Sequence, residues 1–90
     1  MKTHLTQLLA SAAKTIAPDV ADLTIVLERP KSADHGDFAT NLAMILAKPL
    51  KQNPRVIATQ IIDALPASDY IAKTEIAGAG FINFFLNPQS

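Results

Sequence analysis

Residues 71–87, IAKTEIAGAGFINFFLN, decide the fold. Ala72, Thr74 and Ile76 alternate with Lys73 and Glu75, the period of a strand with one wetter face. Gly78-Ala79-Gly80 interrupts the alternation, and Phe81-Ile-Asn-Phe-Phe-Leu-Asn87 resumes it. Two strands joined by a short glycine-bearing turn make an antiparallel hairpin. In the second strand Ile82, Phe84 and Leu86 share one face, while Phe81, Asn83 and Phe85 share the other. At least one of these faces must be core.

Immediately upstream, Asn53-Pro54 is a helix start signal. Asn caps the helix, and Pro at the first helical position gives up only an N–H that has no partner there. The helix Arg55–Leu65 that follows buries Ile57, Ile61, Ile62 and Leu65. Further back, Asp37 stands at an N-cap position, and Phe38, Leu42, Ile45 and Leu46 mark one face of a helix ending before Pro49, with residues 50–53 as a loop. Leu23–Arg29 is β-branched and bounded by Pro30, the pattern of a strand, and Lys31–Gly36 is a polar loop. At the N-terminus Leu5, Leu8, Leu9, Ala12, Ala13 and Ile16 recur at helical spacing over residues 3–17, and Pro18 closes the run. The expected order is α-β-α-α-β-β. The fold class is α+β, with helices packed on one face of a small antiparallel β-sheet.

Ninety residues suffice for a single domain over 1–90. Eight Lys and Arg balance eight Asp and Glu, so the chain has no global basic field and must meet any polyanion locally. The absence of cysteine excludes disulfides, thiolate metal sites and cysteine nucleophiles, and it fits a cytoplasmic location. No apolar run approaches the length of a membrane span, and polar residues break up the first helix too often for a signal segment. A soluble domain with no membrane partner is expected.

If Ile82, Phe84 and Leu86 face inward, the other face offers an aromatic, an amide and an aromatic, a platform for stacking an unpaired base and reading its edge. The competing reading has helices on both faces and all three aromatics in the core, with Phe85 the most buried of the outer set. Between positions 29 and 55, Arg29, Lys31, Lys48, Lys51 and Arg55 meet only Asp34 and Asp37 as acids. Lys48, Lys51 and Arg55 flank one interhelix loop, either as a phosphate-tracking patch or as an ordinary solvated surface. Ser32-Ala-Asp34-His35-Gly-Asp37 gathers hydroxyl, carboxylate and imidazole. Without further ligands at helical spacing, it reads as a turn and a cap rather than a catalytic or metal site. His4 on the first helical turn is expected to be exposed. Gly78-Ala-Gly80 runs into a strand and not into a helix, so it is a turn and no phosphate loop.

Three blocks taken together resemble a known family: Asp34-His-Gly-Asp-Phe-Ala-Thr-Asn41, Asn53-Pro-Arg55, and Glu75-Ile-Ala-Gly-Ala-Gly-Phe-Ile-Asn83. Their order and spacing, over about Leu5 to Asn87, resemble the N-terminal domain of bacterial-type arginyl-tRNA synthetases, which are class I aminoacyl-tRNA synthetases. The resemblance implies an appended domain that contacts the D-loop at the outer corner of tRNA(Arg), where an aromatic and an amide of the terminal hairpin hold an unpaired nucleotide. Phe81 and Asn83 occupy those positions; on the reading of the residues themselves, Gly78 and Gly80 position the turn, and the patch of Lys48, Lys51 and Arg55 is a candidate contact for the tRNA backbone. Ala79 stands where the family commonly has Pro. The resemblance further implies a parent enzyme that uses ATP and magnesium to attach arginine to its tRNA. Its catalytic and anticodon-binding domains would lie downstream, beyond an exit over Asn87–Ser90. No His-x-Gly-His or Lys-Met-Ser-Lys signature occurs here, and no cofactor is expected in this domain. The partners implied are tRNA(Arg) and the catalytic domain of the same chain.

Two rival classes stand beside this. A small-molecule regulatory domain of the amino-acid-binding kind needs two strands between its two helices, and residues 48–54 leave room only for a loop. A protein-interaction module would use the Phe81 and Phe85 face as an apolar patch.

Overall fold

Leu5, Leu8, Leu9, Ala12 and Ala13 wind into helix α1 (Lys2–Ile16), and in the computed structural model, which describes residues 1–88, all five are buried. The stripe packs on α3 (Pro54–Ala64), which turns Ile57, Ala58 and Ile61 inward. Asn53 caps α3 as its sequence requires, its Oδ1 accepting the Arg55 N–H at 2.8 Å. α3 also packs against α2 (Leu42–Leu50), which buries Leu42, Ala43 and Leu46.

The sheet has four antiparallel strands in the order β1-β2-β4-β3, with β1 Leu27–Glu28, β2 Phe38–Thr40, β3 Ile71–Ala77 and β4 Phe81–Leu86. The expected α+β class and the β3–β4 hairpin are present. Ile82 and Phe84 of the central strand β4 are fully buried under the helices. Covering a side chain such as Phe84 contributes about 2–3 kcal/mol. α2 and α3 pack on this side with α1 against α3, and among the described residues no α-helix packs on the opposite face of the sheet.

Several element boundaries differ from expectation. The helix placed from Asp37 begins only at Leu42, because residues 38–40 pair as β2 with β1 and β4 (Phe38↔Phe84, Thr40↔Ile82). The order is therefore α-β-β-α-α-β-β. Phe38 and Thr40 share one buried side of the strand, whereas on a helix residues two apart point in nearly opposite directions. Thr40 Oγ1 then receives the Leu42 N–H at 3.2 Å at the start of α2. The helix also continues through Pro49 to Leu50, where a missing N–H costs one bond of the last turn, and Lys51 closes it in a left-handed conformation (φ 54°). The strand expected over Leu23–Arg29 is reduced to Leu27–Glu28, because β2 is short and only these two residues find a partner. Leu23 and Ile25 still pack against the core.

Among the described residues, no helix is long and apolar enough to cross a membrane. The exit expected over Asn87–Ser90 falls partly outside the described residues. Asn87 lies within them, its Nδ2 donating to Asp69 O at 2.8 Å.

Candidate nucleic-acid interface

The uncovered face of the sheet is defined by one cross-strand row, Glu28↔Ala39↔Asn83↔Glu75. Ala39 is the smallest member, and its short side chain leaves a hollow between its neighbours. The result is a pocket of about 330 Å³ with Ala39 and Asn83 in its lining, Phe81 and Gly78 on the hairpin side, and Glu28, Pro30 and His35 on the other. A smaller recess of about 30 Å³ shares Glu28, Ala39 and Phe81 with it and reaches Asn41. The Asn41 Oδ1 is buried without a hydrogen-bond partner among the described residues.

Phe81 is 40% exposed and Asn83 5%. This corrects the expectation that Phe85 would be the most buried of the outer set. Asn83 sits mid-sheet with a strand on either side, whereas Phe85 lies toward the end of β4, partly covered by the Lys73 ammonium 4.4 Å from its ring centroid. With the Phe85 ring engaged by that cation, Phe81 is the open aromatic of the platform, and Asn83 lies buried beside it in the pocket lining.

The turn that delivers Phe81 is built on glycine conformations. Gly78 has φ 56° and Gly80 φ 142°, both in territory that side chains rarely enter. A Cβ on Gly80 would meet Pro54 Cβ at 2.7 Å, so the turn lies directly on the first residue of α3. The next residue, Arg55, donates from Nη1 to Gly78 O at 2.6 Å. Thus the structure brings the start of α3 to the hairpin turn, with Arg55 engaged by it. Lys48 and Lys51 are exposed and form no ion pair among the described residues. Arg29 of the same basic group stacks over the Phe38 ring, 4.9 Å from its centroid.

Ser32–Asp37 has structural work. Ser32 Oγ accepts the Asp34 N–H at 3.2 Å, opening a 3-10 turn over Ala33–His35. Asp37, expected as a helix cap, instead extends the ladder: its N–H donates to Phe84 O, and its Oδ2 accepts the Leu86 N–H, both at 2.8 Å. Gly36 (φ 85°) is pressed so close to β4 that a Cβ would lie 2.6 Å from Phe84 O. His4 is also corrected, since it is half-buried and not exposed. Its Nε2 lies 2.8 Å from Ser68 Oγ, and its ring meets Tyr70 edge-on at 5.1 Å.

Sequence reasoning missed Glu28, Pro30, His35 and Ala39 as pocket residues. Glu28 alternates with the buried Leu27, so its outward face was available as a signal. Ala39 had none, because residue 39 was read on a helix.

The family description Arginyl tRNA synthetase N terminal domain matches residues 2–86. An arginine–tRNA ligase of Azoarcus sp. (strain BH72) is 61% identical over 85 residues, covering 94% of this chain and 14% of that protein. One from Dechloromonas aromatica (strain RCB) is 58% identical over 87 residues, 97% of this chain and 15% of that protein. Among solved structures, the arginyl-tRNA synthetase of Thermus thermophilus superposes with a TM-score of 0.81 at 25% identity, over 99% of this chain and 14% of that one. The chain therefore spans a small share of the length of the curated relatives it matches.

Proposed function

The chain belongs to the family of arginyl-tRNA synthetase N-terminal domains, and from that premise we propose that it docks on tRNA(Arg) by holding an unpaired D-loop base at the tRNA elbow. The observation that carries this reading is an exposed aromatic, Phe81, beside the amide of Asn83 at a pocket on a sheet face that no helix covers. Stacking on Phe81 supplies about 1–3 kcal/mol, and the Asn83 carboxamide offers both donor and acceptor to a base edge. Glu28 lines the pocket, so the pocket disfavours phosphate and admits the base. Lys48 and Lys51 meet the RNA backbone from the side of the turn.

In the longer protein, catalysis lies in a following domain of the same chain, which uses ATP and magnesium to join arginine to the tRNA in the cytoplasm. This domain contributes position: anchoring the distant corner of the tRNA helps to orient its acceptor end. One base contact with a few phosphates gives micromolar or poorer affinity, on the order of non-specific nucleic-acid binding.

The test is an NMR titration of the labelled chain with arginine tRNA at low salt. Shifts confined to the amides of Gly78–Asn87 and the loop around Lys51, and lost at high salt, are the expected result. Shifts absent at high RNA concentration would overturn the reading.

A further inference from the structure

Building on that reading, we propose that Arg55 is a positioning residue: it holds the Gly78–Gly80 turn in the conformation that presents Phe81, and it is not a phosphate ligand. Three observations converge on it. The Arg55 backbone N–H is taken by Asn53 Oδ1, which fixes where its side chain departs from α3. Its Nη1 donates to Gly78 O at 2.6 Å, a short charge-assisted bond from an otherwise exposed side chain. Pro54, beside it, fills the space that any Cβ on Gly80 would need. The first two residues of α3 therefore grip the turn at both of its glycines.

The grip bears on Phe81 through Gly78. A Cβ on Gly78 would touch Phe81 Cδ2 at 3.6 Å, so Gly78 lies next to the ring that must be oriented. Glycine alone cannot hold φ 56° against its other accessible conformations. A proline at position 79 would stiffen the turn from within by fixing φ, and Ala79 does not. The guanidinium supplies from outside the restraint that the turn sequence lacks, and a ring held in place before binding avoids the ordering penalty on association.

The experiment compares Arg55→Ala and the double variant Arg55→Ala/Ala79→Pro with the unaltered chain. It measures arginine tRNA affinity over a series of salt concentrations and the amide spectrum of each protein without RNA. For Arg55→Ala the expected result is a loss of affinity of about tenfold. The slope of log affinity against log salt stays unchanged, and in the free protein the shifts from Gly78 to Phe81 move while the rest of the spectrum keeps its dispersion. In the double variant, proline restores most of the affinity without restoring the charge.

A salt slope reduced by about 0.7–0.9, with no rescue by proline, would make Arg55 a phosphate ligand and overturn the proposal. Unmoved turn amides in the free Arg55→Ala protein would overturn it independently of RNA. Failure of the unaltered chain to bind RNA would count against the docking reading, while the free-protein spectra still decide the role of Arg55.

Discussion

At one end of β4 the segment Ser32–Asp37 folds against Phe84–Leu86; at the other the turn Gly78–Gly80 folds against Pro54 and Arg55. The first is crowded with groups capable of chemistry. Its Ser32 hydroxyl and Asp37 carboxylate nevertheless accept backbone N–H groups of Asp34 and Leu86, so both are occupied by the fold. The turn Gly78–Gly80 has no polar side chain of its own, yet it leads into the exposed ring at the pocket. Residue type alone does not mark a site. What marks it is a group left available after the backbone has been satisfied, on a surface that the rest of the chain leaves uncovered.

The sharpest way to break this contrast is Gly36→Ala. The new Cβ meets a backbone carbonyl of the central strand and φ is 85°, so a stability loss of about 3 kcal/mol is expected, read as a shift of the urea midpoint. Phe81→Ala tests the opposite end. Weakening of tRNA binding by about 2 kcal/mol, roughly thirtyfold, is expected, with a stability change under about 1 kcal/mol because the ring is already 40% exposed. Equal losses of stability and binding would make Phe81 a core residue. Asp37→Ala removes an acceptor from the Leu86 N–H and is expected to cost about 1.5 kcal/mol in stability, with tRNA affinity unchanged under folding conditions. A lost affinity without lost stability would return chemistry to the first segment. Ser32→Ala, which removes one exposed turn bond, should shift the thermal midpoint least, corresponding to about 0.5 kcal/mol.

Much of the fold was legible because its signals are local. The stripe of α1, the Asn53 cap with Pro54 behind it, and the β3–β4 hairpin each lie within a few residues of sequence and reappear in the structure. β2 was not legible. Phe38, Leu42, Ile45 and Leu46 are spaced as on a helix, and only the presence of β4 as a partner decides that Phe38 belongs to a strand. The site divides in the same way. Phe81 and Asn83 could be placed on one face from alternation, but the burial of Asn83 depends on strands flanking it on both sides. Arg55 read as a free cation because nothing local announces that the turn carbonyl of Gly78 will lie beside it.

The central place of β4 also bears on the order of assembly. Its bond with β3 closes through a tight turn and can form early, within the time of an isolated hairpin. Its bond with β2 joins residues from distant parts of the chain and must wait for the helices between them to collapse. The hollow over Ala39 and Asn83 exists only once that second pairing is made. The hairpin is thus local in sequence, while the pocket rests on a pairing between distant segments and carries its loop-closure cost.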